Sequence, residues 1–74
     1  MKERVIYGKY GPEYIVRYDN KSAVVYHIKD GYIGAVNATG AVVDKHGNFL
    51  GWNDIWEGVS QIIANHAAKK SSGW

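Results

Sequence analysis

His27, His46, His66, Asp44 and Ser60 are the residues of this chain whose types could serve as base, nucleophile or orienting group. Such chemistry requires at least two of them to converge in a concave site. No motif spacing links them, so no catalytic residue is expected and the chain reads as a non-enzyme. The three histidines also lack the close spacing that sets two ligands on one side of a helix, and no metal site is expected from them. His66 reads as a boundary residue of a helix, His46 beside Gly47 as a turn residue and His27 as a cross-strand residue. Asp44-Lys45-His46-Gly47-Asn48 has oxygen donors near a glycine but lacks the alternating carboxylates and final glutamate of a calcium loop. None of the paired glycines (Gly8 and Gly11, Gly31 and Gly34, Gly47 and Gly51) precedes the lysine and hydroxyl residue of a phosphate cradle. With no cysteine, thiolate zinc binding and thiol redox chemistry are excluded. No cofactor is expected.

The elements that must carry these residues follow from the turn signals. Gly11-Pro12, Asp19-Asn20-Lys21-Ser22, Asp30-Gly31, Asn37-Ala38-Thr39-Gly40 and His46-Gly47-Asn48 leave room for short strands between them. Asp30-Gly31 suits a two-residue type I′ turn, which would face Lys29 with Tyr32, Ile28 with Ile33, His27 with Gly34 and Tyr26 with Ala35. From Asn53 the hydrophobic period lengthens to about 3.6, and Ile55, Val59, Ile62, Ile63 and His66 mark the buried stripe of one helix. Asn53 is the expected N-cap, Asp54 suits the positive end of the dipole, and Lys69 and Lys70 suit the negative end. Gly58 costs such a helix about 1 kcal/mol against alanine, which implies close approach of a bulky sheet residue. The expected fold is α+β: a small, curved antiparallel meander of about four to six short strands packed on one C-terminal α-helix. Residues 1–70 form one domain and 71–74 a loose tail, with the role of Trp74 open.

All six tyrosines lie between Tyr7 and Tyr32, interleaved with basic residues, whereas the three tryptophans lie in the last third. Pairing the first two strands across Gly11-Pro12 puts Val5 and Tyr7 on one face with Val16 and Tyr18, joined by Tyr14, Tyr26, Ile28 and Ile33. The second face would then carry Arg4, Ile6, Tyr10, Ile15, Arg17, Val25, His27, Lys29, Tyr32 and Val36. That face is too apolar for ordinary solvent, and one helix cannot cover both sides. Either the last strands curl back over it or another molecule covers it.

The expected site is therefore a partner-binding face of Arg4, Ile6, Tyr10, Ile15, Arg17, Lys29 and Tyr32, with Ile6, Ile15 and Tyr32 as apolar anchors. A net charge of +2 is only mildly basic, and no basic run or glycine-aromatic signature of a sheet-based RNA reader is present. The expected function is a small protein-protein interaction module, homodimeric, that occupies a surface on a protein partner, of the kind a phage or other mobile element could use as an inhibitor. A single-stranded nucleic-acid binder using sheet tyrosines with Arg and Lys is the alternative. No apolar run approaches the ~18 residues of a membrane span, and the absence of cysteine fits a reducing compartment, so no membrane partner and a cytoplasmic location are expected.

Overall fold

A computed structural model describes the backbone of residues 1–72 and the side chains of residues 1–69. Six strands, β1 (Lys2–Gly8), β2 (Gly11–Tyr18), β3 (Ala23–His27), β4 (Gly31–Val36), β5 (Ala41–Asp44) and β6 (Phe49–Trp52), precede one helix, α1 (Ile55–Ser72). The strands form a single antiparallel sheet in the order β1-β2-β3-β4-β5-β6, a meander with β1 and β6 as its edges. The sheet is open, and β5 and β6 extend it sideways rather than curling back over it. The expected α+β fold is the observed one. Of the expected tail, Gly73 and Trp74 lie outside the described residues, and α1 runs on through Ser72. No helix among the described residues is long and apolar enough to cross a membrane.

Alternation explains the core. Val16, Val25, Val36 and Val42 point to one side of the sheet, where Val59 and Ile62 of α1 meet them, with Tyr14, Ala23 and Ile33 completing the buried cluster. The helix starts after Asp54, whose carbonyl accepts the first helical hydrogen bond from the Gly58 amide at 2.7 Å. Asp54 is thus the capping residue, one position later than expected. The Asn53 side chain is engaged elsewhere: its amide donates to Gln61 Oε1 at 2.6 Å, while Gln61 Nε2 donates to the Leu50 carbonyl at 2.7 Å. These bonds tie the first half of α1 to β6.

Two turns differ from expectation and reassign the faces. The β1–β2 turn is Lys9–Tyr10, flanked by the Gly8–Gly11 pair, and Gly11 and Pro12 already belong to β2. A bulge after Ile6 leaves Glu13 as the extra residue, and Ile6 pairs with Tyr14 and Arg4 with Val16. Relative to a turn at Gly11-Pro12 this register differs by an odd number of residues, and an odd shift exchanges the two faces of a strand. Arg4 and Ile6 therefore lie on the helix side, together with Val25, His27 and Val36. Val5, Tyr7 and Tyr26 lie on the other. Between β3 and β4 no type I′ turn forms, because Asp30 does not take positive φ. Ile28, Lys29 and Asp30 make the turn, His27 pairs with Gly31 at φ 78°, Tyr26 pairs with Tyr32, and Ile28 is exposed. The bulge there lets consecutive Ile33 and Gly34 both face the core.

Helix and sheet approach closely at two glycines. A Cβ on Gly58 would stand 2.5 Å from Val36 Cγ2 and 3.1 Å from Val42 Cγ2, and one on Gly34 would meet the Val43 carbonyl oxygen at 2.6 Å and Ile62 Cγ2 at 2.8 Å. Val36 and Val42 are fully buried and stiff at χ1, so neither can yield cheaply. Gly58→Ala gains about 1 kcal/mol of helix propensity and incurs roughly 1–3 kcal/mol of overpacking, so the variant is expected to be no more stable, and less stable by up to about 2 kcal/mol, in urea unfolding despite its better helix former.

Candidate functional site

The β3–β4 turn is held by a side chain. His27, only 7% exposed, turns its Nδ1 back on the amides of Lys29 and Asp30, which both donate to it at 3.2 Å. The turn so closed presents the Asp30 carboxylate to α1. There, one helical turn beyond Ile62, His66 Nε2 meets Asp30 Oδ2 at 2.7 Å, and His66 Nδ1 lies 3.0 Å from the Tyr14 hydroxyl. The His27 and His66 rings stand 4.6 Å apart, with Tyr14 edge-on to both at 5.1 and 5.6 Å.

Donor and acceptor chemistry assigns the protons. A carboxylate only accepts, so His66 carries its proton on Nε2 and gives it to Asp30, which leaves Nδ1 to accept from the Tyr14 O–H. His27 accepts at Nδ1 and so carries its own proton on Nε2. Its Nδ1 lies 3.4 Å from Asp30 Oδ2, too long for a strong hydrogen bond. Burial, with the nearby charges of Glu13 and Asp30, raises the Tyr14 pKa, so its hydroxyl remains a donor at neutral pH.

A second buried polar group repeats the device two hairpins later, at the β5–β6 turn. Asp44, 3% exposed, accepts from the amides of His46 at 2.8 Å and Asn48 at 2.9 Å, from the Asn48 side chain at 3.2 Å and from Lys69 Nζ at 3.4 Å. Burial alone would raise its pKa, but these donors outweigh burial and hold it down at about 2. Between the two turns, Asp30, Asp44, Lys45, Asn65, His66 and Lys69 line a cleft of about 260 Å³ floored by Ile33.

On the opposite side of the sheet no element among the described residues covers the outer face. Val5, Ile15, Val24, Tyr26, Tyr32, Ala35, Val43, Phe49 and Trp52 run across it from edge to edge, as the pairings Val5–Ile15, Ile15–Tyr26, Tyr26–Tyr32, Ala35–Val43, Val43–Phe49 and Ala41–Trp52 require. Tyr7 is 70%, Phe49 56% and Trp52 68% exposed, and Phe49 and Trp52 pack edge to face at 5.2 Å. The charged side chains on this face form one pair, Arg17 Nε to Glu3 Oε2 at 3.2 Å, with the guanidinium 5.8 Å from the Tyr26 ring.

The expected contact residues are therefore divided. Ile15, Arg17 and Tyr32 share the outer face. Ile6 packs against the core beneath α1, and the Arg4 guanidinium sits 4.4 Å over the Trp56 ring on the helix side. Tyr10 and Lys29 occupy neighbouring hairpin turns and line one cleft of about 520 Å³ with Glu13 and His27. The expectation that the histidines stand apart is corrected, since His27 and His66 come together on Asp30. Phe49, Trp52 and Tyr26 on the outer face, and Asp30 in the cluster, were missed. Counting back from the Asp19–Ser22 turn pairs Ile15 with Tyr26 and would have found Tyr26, but Phe49 and Trp52, three residues apart, share a face only because Leu50 is an extra residue in the β5–β6 pairing, and no local signal marks that bulge or links Asp30 to His66. No protein family, curated protein or solved structure matches the chain.

The depressed pKa of Asp44 has a consequence in acid. A carboxyl whose folded pKa lies below its unfolded value of about 3.9 contributes stability above that value, and the contribution is lost as pH falls through the folded pKa. Unfolding followed by circular dichroism should therefore show a loss between about pH 4 and pH 2 that is reduced in Asp44→Asn, and the Asp44 carboxyl carbon should titrate near 2 by NMR.

Proposed function

We propose that the protein is a non-catalytic, cytoplasmic interaction module that packs the outer face of its sheet against a protein surface, in the first place that of a second copy of itself. The observation that carries this reading is the uncovered apolar face from Val5 to Trp52, whose charged groups, Arg17 and Glu3, neutralise each other. A neutral, aromatic surface attracts no polyanion and matches another surface of its own kind. Monomeric proteins rarely leave so continuous an apolar face in water.

Size supports the same occupant. Six strands about 4.8 Å apart, of four to eight residues rising ~3.3 Å each, give a face of roughly 540 Å². Two such faces meeting bury about 1,100 Å², just above the roughly 1,000 Å² that a specific interface should clear. The aromatic anchors at the centre and edge, Tyr26, Tyr32, Phe49 and Trp52, are of the types that dominate interface energies. A dimer built this way is a sandwich of two sheets with a helix on each outer side.

Sedimentation equilibrium tests the reading. The wild-type chain is expected to be dimeric at micromolar concentration, and Tyr32→Ala and Trp52→Ala to weaken association by about 2 kcal/mol, roughly 30-fold, without loss of helical signal. Tyr10→Ala, at a turn outside the face, should leave the dimer unchanged. A wild-type monomer at several hundred micromolar would overturn self-association. Oligonucleotide binding by the same face, with affinity falling steeply in salt, would replace a protein partner by a single strand.

A further inference from the structure

We propose that His27, Asp30 and His66 form a binding site for a divalent transition-metal ion of the zinc class, separate from the outer face and independent of its role. The donor atoms of the three residues all lie within 4.8 Å of one another. Two imidazoles and one carboxylate suit Zn²⁺, and equally its first-row neighbours. Metal bonds of about 2.0–2.2 Å in a tetrahedral arrangement set donor atoms roughly 3.3 Å apart. The separations from Asp30 Oδ2, 2.7 Å to His66 Nε2 and 3.4 Å to His27 Nδ1, bracket that distance.

Surroundings and protons agree with the assignment. The imidazole side chains are 8% and 11% exposed, so both ligands are held by packing before a metal arrives. His27 Nδ1 already carries a lone pair and no proton, accepting from the Lys29 and Asp30 amides through hydrogen bonds at the long end of the range, which a metal displaces. For His66 to ligate through Nε2, its proton moves to Nδ1. There the Tyr14 oxygen at 3.0 Å becomes the acceptor, the outer-shell hydrogen bond that orients a ligating histidine. Neither histidine changes its charge in this exchange. Because Asp30 and His66 also line the 260 Å³ cleft, water can reach a fourth coordination position.

Titration of the intact protein with ZnCl₂, and with CoCl₂ as a spectroscopic probe, tests the site. Expected are one equivalent of metal per chain, visible Co²⁺ absorption displaced by Zn²⁺, and zinc-dependent shifts of the His27 and His66 ring nitrogens in ¹⁵N NMR with His46 unmoved. His66→Gln and His27→Gln should weaken binding at least 100-fold, Tyr14→Phe about 10-fold, and His46→Gln not at all. Absence of binding at millimolar Zn²⁺ would overturn the proposal, as would binding that shifts His46 in place of the other two. The NMR readout uses the wild-type chain, so it decides even if a histidine variant fails to fold.

Discussion

The close approach of α1 to β4 is the constraint on which the other features rest. Gly34 and Gly58 remove side chains from the contact on both partners, so that Ile62 sits against the Gly34 backbone while Val36 and Val42 fill the space above Gly58. That seating places His66, four residues after Ile62, over the β3–β4 turn, and Gln61 over the carbonyl of Leu50. A larger residue at either glycine would lift the helix and separate His66 from Asp30 before it emptied the core. The seating also uses up the only helix among the described residues, which leaves the reverse side of the sheet without cover.

Burying polar groups in so small a core costs free energy unless each finds a partner, and here the partners lie in hairpin turns. His27 accepts two amides of the β3–β4 turn and Asp44 two amides of the β5–β6 turn, so each buried side chain closes the loop that follows it. No buried side-chain nitrogen or oxygen among the described residues lacks a hydrogen-bond partner. The same bonds decide where Asp30 and Lys69 lie, and so build a polar cleft between sheet and helix at one end of the barrier that the core makes. The two sides of the molecule consequently have different chemistries: one polar and convergent, the other apolar and electrically neutral.

Bulges connect these two outcomes. An extra residue at Glu13 brings Arg4 and Ile6 to the helix side and sends Val5 and Tyr7 outward, and one at Ile33 lets two consecutive residues of β4 enter the core. Each bulge changes which side chains a face contains without altering strand order. The apolar outer face therefore exists as anticipated, but its membership is largely different, with Tyr26, Phe49 and Trp52 replacing Ile6 and Arg4.

Local residue chemistry alone determined the class of fold, the five turns' approximate places, the helix with its stripe of Ile55, Val59 and Ile62, and the tight contact at Gly58, because propensity, period and turn residues act over a few neighbours. It also implied that one helix would leave a face uncovered. The choice of faces was not legible, since moving the turn from Gly11-Pro12 to Lys9–Tyr10 shifts the pairing by an even step that keeps the faces, and only the bulge at Glu13, which no local signal marks, makes the step odd and exchanges them. The meeting of His27, Asp30 and His66 was hidden for a different reason. His66 is 36 residues from Asp30, and only the docking of the helix across the sheet, a cooperative result of packing over the whole chain, brings the imidazole to the carboxylate.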